Sequence, residues 1–589
     1  MPITNLKWYL DAGGIKAWIK FLLFLGSSIL MGFLEAKIIS LIQIVVASLG
    51  SLQAGDVSAM AIQGDGITRG QFYIFRNNIF TFTTVGLAAT GFRILLLKAA
   101  LSFGATLTSN AGIILYKTLF GKDYCFLSDL DKNVYQSRFL IDLERVRAGL
   151  TMLFQLILSL FVVIFITAEL FHVNGLVTTI SLASLSALYI SFYLLASRSV
   201  RNFGDNIRGL TDTQMTEIDN SFSLLRFIIN GRIQSERLQA FVKNELTLRR
   251  LYTRLQFRSS YPKHALEGFV FIVTLMIILI IGEESGQKLI PFILIYGTGL
   301  TRLFPAFQSS YSSLNEYKAN EVFVTAIREL NCDLVATTPY QGNASIRIIT
   351  CNNETNEQLG KMVINLENIS FKYNDIDRPV INGLNLIATE GDRIVISGPS
   401  GCGKSTLMDI LSGFLMPSSG IITISEHLLE NISAPNSSTL SMFPYSYKKS
   451  VGFVSAKTFI IRSSLSYNIT LIEDNRVDHE WLTYCLEVVQ LNECFARRGL
   501  TVDFNTVLSC DQLSNGEIQR IGIARILYHK PKVLILDESL NSIDARSSAR
   551  ILSNLTKFPK LSLSLLISHQ PMYEDWITRQ LSICDGRLS

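Results

Sequence analysis

The run GPSGCGKST, Gly398 to Thr406, follows the apolar stretch Arg393-Ile-Val-Ile-Ser397 and precedes Leu407-Met-Asp-Ile-Leu411. Its pattern predicts a strand, a glycine turn and a helix. A phosphate chain needs backbone N–H groups aimed at it with no side chain in the way, and Gly398, Gly401 and Gly403 let the main chain curl round it. The positive end of the following helix adds to this attraction, Lys404 reaches the outer phosphates, and the Ser405 hydroxyl suits Mg²⁺. Pro399, Ser400, Cys402 and Thr406 complete the loop. Such a pattern also occurs by chance, but its strand and helix flanks decide for phosphate.

From Met362 to the last residue, strands and helices alternate as in an α/β phosphate-binding domain. Phe371-Lys-Tyr373, one strand pair ahead of the loop, offers a ring for adenine, although a strand-edge Tyr is also common where nothing binds. The strongest further signal is Lys532-Val-Leu-Ile-Leu-Asp537-Glu538, an apolar strand ending in two carboxylates. Asp537 suits Mg²⁺ and Glu538 can polarise an attacking water, the division of labour that phosphoryl transfer needs. Ahead of it, Leu513-Ser-Asn-Gly-Glu-Ile-Gln-Arg520 opens a helix at a Gly-containing turn and predicts a second anion site separate from the first. After it come Ser542-Ile-Asp544, where Asp544 is a further candidate on the nucleotide side, and Leu565-Leu-Ile-Ser-His569. A strand-end His is usually structural, yet His569 follows the paired acids and is a candidate contact for the γ-phosphate.

The chain has 589 residues, too many for one core, and its 48% hydrophobic, 17% charged composition with 36 Phe averages a very apolar front half with an ordinary back half. The net charge of +5 sits in particular loops and does not point to nucleic acid. Eight cysteines without CxxC or metal spacing read as free thiols in a reducing compartment. Cys402 differs: a bulky thiol reagent there should block nucleotide binding, and ATP should protect it. The start, MPITNLKWYLDAGGIKAWIKF, is weakly basic and runs into an apolar stretch too long for a signal core.

Runs long enough to cross a bilayer lie near Ala17–Leu49, Ile79–Leu107, Gly149–Phe171, Val173–Ala196, Ala265–Ile281 and Leu289–Phe307, six spans. Arg198 to Lys263 carries twice as many cations as acids and is placed in the cytoplasm, with Asn110 to Arg147 on the same side. Gly50–Gly70, Glu169–Gly175 and Gly282–Lys288 then fall outside, and both termini are cytoplasmic. The two cytoplasmic stretches have helical periodicity and are read as extensions of membrane helices, each turning at a short crosswise helix, near Asp123–Asn133 and Met215–Phe227. Surface amphipathic helices are the competing reading. Arg93, Lys98 and Arg302 either line a polar pathway or lie at the interface. Asn331–Gly360, rich in Asn, Thr, Gly and Gln, is expected to be a linker between a membrane domain, 1–330, and a nucleotide domain, 362–589.

Glycine loop, LSNGEIQR, LILDE and SH, in that order, resemble the ATP-binding cassette of ABC transporters, and six spans ahead of it resemble the exporter-type half-transporter. YQSRFLIDLERVRAGL resembles the first intracellular loop of such exporters. The likeness covers essentially the whole chain and is most specific in the cassette. It implies that Tyr373 stacks on adenine, that Lys404 and its loop hold the phosphates, that Ser405 and Asp537 serve Mg²⁺, that Glu538 is the catalytic carboxylate and that His569 is the switch histidine. It also implies that Ser514, Asn515 and Gly516 close on the ATP of a partner cassette. The chain must then pair with itself or with a related half-transporter.

Departures from the family pattern are informative. The usual Gln after Val451-Gly-Phe-Val454 is matched by Ala456, which puts metal affinity or coupling in doubt. Asn515 replaces a usual Gly, and Asn tolerates positive φ better than most residues. Glu517 stands where Gln is common, and the sequence stops at Asp585-Gly-Arg-Leu-Ser589, where the family usually continues into a helix. The expectation is an ATP-driven exporter in a bacterial cytoplasmic membrane, moving an amphipathic peptide, lipid or drug-like molecule, without a peptidase domain to process a leader peptide. The alternatives are a low-turnover ATP-binding sensor or regulatory subunit, a degenerate half of a heterodimer, and an importer in an exporter-like fold.

Overall fold

The computed structural model describes the chain except for residues 1, 60–64, 123, 129, 225–234, 236–237, 240, 258–259, 262–263, 265–267, 269–285, 337–345, 352–361, 374–377, 426–438, 441–442, 444, 473–475, 500–502, 569–574 and 589. It forms two compact units: Met1–Lys122 with Asp129–Thr337, and Asp123–Ser128 with Thr338–Ser589.

The described part of the first unit is helical. It opens with α1 (Pro2–Ala12), α2 (Gly14–Ala59) and α3 (Asp65–Phe120); α4 (Tyr124–Ser128) belongs to the second unit. Then α5 (Lys132–Ser137) runs through a π-helical turn at Arg138–Asp142 into α6 (Leu143–Val173), followed by α7 (Gly175–Ser223) and α8 (Gly286–Ala336). The central helix is α6, whose residues Val146, Leu150, Phe154, Val162, Ile166 and Leu170 recur at multiples of four and are buried. Phe24 and Phe103 pack on Phe154 at 5.5 and 4.9 Å between ring centroids, bringing α2 and α3 onto it. Small residues allow the approach: a Cβ on Gly104 would come within 2.6 Å of the Thr151 hydroxyl. At the π-helical turn, Arg138 bonds Asp142 at 2.7 Å and Asp212 of α7 at 3.3 Å, fixing where the two long helices meet.

Three described stretches are long and apolar enough to cross a membrane, Gly14–Ser48, Phe72–Phe120 and Lys132–Val173, with a shorter apolar one at Gly175–Leu188. The expected sixth span lies on α8, and the fifth, Ala265–Ile281, lies outside the described residues but for Gly268. Three expectations change. The outside loop expected at Gly50–Gly70 is mostly helix, because α2 and α3 run on to Ala59 and from Asp65. Once a span has nucleated a helix, each added residue gains a bond, and isolated glycines do not stop it. A short helix, α4, falls within the first expected crosswise segment, whereas α7 runs unbroken through Met215 to Ser223 and is capped by Leu224; residues 225–227 of the second segment lie outside the described residues. The expected linker is also partly structured: α8 extends to Ala336, and β1 (Ile346–Cys351) pairs in parallel with a strand of the next domain. Its Ile346-Arg-Ile-Ile run carried a strand pattern that polar composition on either side obscured.

The second unit has two sheets. The first has the order β3-β2-β5-β1-β6, from β2 (Met362–Phe371), β3 (Ile381–Thr389), β5 (Ser419–Ser425) and β6 (Thr439–Leu440) with β1. The second has the order β11-β10-β4-β9-β8-β7, from β4 (Arg393–Ser397), β7 (Val451–Val454), β8 (Val533–Asp537), β9 (Leu563–Ile567), β10 (Arg579–Cys584) and β11 (Arg587–Leu588). Neighbours from β10 to β7 are parallel, so their apolar runs are covered on both faces. Ile535 and Leu565 face one core, Leu534, Leu536 and Leu566 the other. Truncating one of these, Leu536→Ala, would cost roughly 2–5 kcal/mol. Between the strands come α9 (Lys404–Leu411), α10 (Tyr445–Ser450), α11 (Leu465–Thr470), α12 (His479–Val488), α13 (Leu491–Arg497), α14 (Asn515–Tyr528) and α15 (Ala545–Leu555).

Candidate functional site

Strand β4 ends at Ser397, and the chain turns into α9 through three glycines at positive φ: Gly398 at 149°, Gly401 at 80° and Gly403 at 102°. Space as well as φ demands glycine at the first, where a Cβ would lie 2.3 Å from the Ile583 carbonyl. Gly403 caps α9 without any side-chain bond, leaving the first N–H groups of the helix to the loop. Lys404 is buried, and its Nζ donates to the carbonyls of Gly398 at 2.8 Å and Pro399 at 2.7 Å. The ammonium is thereby fixed over the loop with one of its three protons free. Ser405 Oγ donates to Asp537 Oδ1 at 3.5 Å, joining the loop to the end of β8. Tyr373 reaches the same helix: its hydroxyl lies 3.3 Å from Thr406 Oγ1, and its ring stands edge-on to Phe371 at 4.8 Å.

Burial pushes the Asp537 carboxyl up, the Ser405 bond opposes this, and the neighbouring Glu538 charge adds to it. Glu538 itself has a left-handed backbone, φ 51°, which a non-glycine residue holds only when its surroundings impose it. Its carbonyl accepts from Asn541 N at 3.2 Å, and Asn541 Nδ2 donates to its Oε2 at 3.4 Å. Beside these acids stands Asp409, on the LMDIL run of α9, pushed up to about 6 by burial and by the Asp537 charge. Nothing in the motifs singled it out; a lone carboxylate in an apolar helix run was the available signal.

At the other motif, Ser514 caps α14 in a full capping box. Its Oγ accepts from Glu517 N at 3.3 Å while its own N donates to Glu517 Oε2 at 2.8 Å. Arg498 donates to both Glu517 oxygens, at 2.9 and 3.1 Å. Burial works against the Glu517 charge, but the Ser514 and Arg498 bonds outweigh it and hold the carboxyl below the usual range. Asn515 begins the helix and is not among the residues with positive φ, so the tolerance invoked for it is not needed. Gly516 is required for closeness instead, since a Cβ there would come within 2.9 Å of the Ser542 carbonyl. Among the described residues no hydrogen bond or ion pair joins Ser514, Asn515 or Gly516 to the phosphate loop. Asp544 caps α15, accepting from Ser547 N at 2.9 Å, which holds its carboxyl down. His569 lies outside the described residues.

One contact near the site escaped the sequence. Gln519 Nε2 donates to the Ala456 carbonyl at 3.0 Å, and its Oε1 accepts from Ser542 N at 3.4 Å. The segment lacking its usual Gln is thus tied through Gln519 to the segment after Glu538. Gln519 stands inside the quoted LSNGEIQR run, but its partners are 63 and 23 residues away.

Residues 381–541 match the family model described as ABC transporter. A leukotoxin translocation ATP-binding protein of Mannheimia haemolytica is 30% identical over 236 residues, 40% of this chain and 30% of that protein. An ABC transporter ATP-binding protein of Haemophilus influenzae, uncharacterised, is 30% identical over 214 residues, 36% of each. The chain thus spans about a third of the length of these relatives. A bacterial Atm1-family ABC exporter solved with ATP bound aligns over 96% of this chain and 95% of its own, with a TM-score of 0.72 and 17% identity, a likeness of fold. Residues 381–541 thus match the cassette of ABC transporters, and the chain as a whole, apolar helices ahead of that segment, has the fold of an ABC exporter.

Proposed function

We propose that the protein hydrolyses ATP to drive export of an amphipathic molecule across a bacterial cytoplasmic membrane, as a dimer of two such chains or of this chain with a related half-transporter. The observation that carries this reading is the meeting of the glycine loop with the paired acids, through Ser405 and Asp537 at 3.5 Å. Tyr373 stacks on adenine, residues 398–406 hold the phosphates, and Lys404 offers its free proton to the outer ones. Ser405 and Asp537 are hard oxygen donors that would hold one Mg²⁺ between them, and that ion would supply charge neutralisation at the phosphates. Glu538 accepts a proton from the water that attacks the γ-phosphorus, and ADP leaves with the β–γ bridging oxygen. His569 contacts the γ-phosphate. Ser514, Asn515 and Gly516 close on the ATP of the partner cassette, with Asp544 near the same interface. The excess of Lys and Arg from Arg198 to Lys263 supports a cytoplasmic cassette.

Full-length protein in lipid nanodiscs tests this. Phosphate release from Mg-ATP should fall on the order of a hundredfold or more in Glu538→Gln, while ATP binding persists. A second reading, an ATP-binding sensor or degenerate half with little turnover, is favoured by Ala456, whose side chain cannot reach metal or water. Tight ATP binding without phosphate release from the wild-type chain would establish that reading instead. Import rather than export would appear as inward flux in sealed vesicles.

A further inference from the structure

Spans Ala17–Leu49, Ile79–Leu107 and Leu289–Phe307 contain Lys20, Lys37, Arg93, Lys98 and Arg302, but a single acid, Glu35. Glu35 lies near the middle of the first of these spans and Arg93 at the middle of the second. The fold brings Arg302 of α8 to the same point, so that helices α2, α3 and α8 meet at one carboxylate. Arg302 Nη1 donates to Glu35 Oε2, and Arg93 Nη1 lies 3.8 Å from Oε1. The Glu35 side chain is only 3% exposed, whereas that of Arg302 is 32% and that of Arg93 48% exposed.

Each oxygen of Glu35 is engaged by a different guanidinium, so among the described residues the cluster holds two positive charges and one negative. An unmatched charge at this depth is costly in hydrocarbon, and ionisable groups there pair with one another or face water and ligands. Arg302 takes the tight contact and Arg93 the long one, so the excess charge resides on Arg93. A guanidinium still offers several N–H donors in a planar fork when one arm leans on a carboxylate. The fork matches a second planar anion.

We propose that Arg93, backed by Arg302 and Glu35, is the cargo-binding subsite for an anionic head group, and that the transported amphiphile carries a carboxylate or a comparable oxyanion. This rests on the transport reading above and narrows it: a neutral or cationic cargo would leave the excess charge unmet. Glu35 sets the affinity, because it neutralises one arginine and orients the other.

The test is equilibrium binding without nucleotide. A dansyl-tagged medium-chain fatty acid and its primary amide are titrated by fluorescence into full-length protein in phosphatidylcholine nanodiscs, with empty discs subtracted. The acid should bind roughly tenfold or more tightly than the amide, the worth of a charge-assisted hydrogen bond. Arg93→Gln should abolish the preference by weakening acid binding to the level of the amide, and Arg93→Lys, which keeps the charge without the fork, should retain part of it. Equal affinity of acid and amide for the wild-type protein, or a preference that survives Arg93→Gln, overturns the proposal. Phosphate release from Mg-ATP in the same discs reports separately on the transport reading, so failure of one is not mistaken for failure of the other.

Discussion

The starts of α9 and α14 are both positive helix ends, and both were expected to meet phosphate, yet they are finished in opposite ways. Gly403 caps α9 with no side chain, leaving its N–H groups to the surrounding loop. Ser514 and Glu517 satisfy the start of α14 from within, and Arg498 then balances the added charge. A helix end left bare can take a full phosphate chain into its own loop. One already capped by a carboxylate can only supplement a site built elsewhere, which fits a segment that closes on a partner's nucleotide.

The largest effect that would break this comparison is at Gly398. Gly398→Ala puts a methyl group 2.3 Å from the Ile583 carbonyl at a φ of 149°, so the loop cannot keep its shape. Binding of a fluorescent ATP analogue should fall by about two orders of magnitude, in line with strain of a few kcal/mol. Unaltered binding would mean that the bare end of α9 does not hold the phosphates.

Asp409 sharpens the same side. Because burial and the Asp537 charge push it from 3.8 up to about 6, the folded chain keeps a proton on Asp409 at pH 5 that the unfolded chain has released. The folded state binds more protons, so this contribution to stability is full below the ordinary value and is lost as pH rises through about 6. Asp409→Asn removes the penalty. Its Tm should match that of the wild type near pH 4 and exceed it above pH 6.5, by an amount on the order of 2 kcal/mol in stability. A difference that does not vary with pH would show that Asp409 is not the titrating group.

On the α14 side, Ser514→Ala removes the cap and should cost about 1 kcal/mol, read as a lowered Tm of the cassette. No loss would mean that Glu517 and Arg498 hold the helix start without the serine.

What the sequence disclosed and what it hid divide along the distance over which each feature is encoded. The glycine loop, the helix start at Ser514 and the carboxylates at Asp537 and Glu538 are set by residues a few positions apart, so local pattern was enough, although the capping of that start by Ser514 and Glu517 was not read from it. The left-handed backbone at Glu538 was not legible, because Glu has no preference for it and the turn after β8 imposes it. The Gln519 bridge between Ala456 and Ser542 depends on how three separate segments stack. Glu35, Arg93 and Arg302 were each noticeable as charges within apolar runs, but their meeting depends on the rotation of three helices about their axes. Strand β1 was missed for a different reason: a few alternating residues in a polar stretch acquire meaning only beside β5.

The smallest effect is the most discriminating, because it separates the charge of Glu517 from its role as a cap. In Glu517→Gln the side-chain carbonyl can still accept from Ser514 N, so the capping geometry survives, but the negative charge is gone and Arg498 keeps only its bond to the Gln512 carbonyl as an anchor. Arg498 is 45% exposed, so loss of the ion pair should change stability by less than about 1 kcal/mol. The positive end of α14 would no longer be offset, and a charge at a helix start is worth about 0.3–1 kcal/mol, a factor of roughly two to five in affinity. The ATP concentration needed to bring two cassettes together should therefore fall by that factor, measured by light scattering of full-length protein carrying Glu538→Gln to prevent turnover. If the ATP requirement instead rises, the carboxylate is needed in place at the closed interface, and the contrast between a bare helix end and a capped one does not describe how the two ends share a nucleotide.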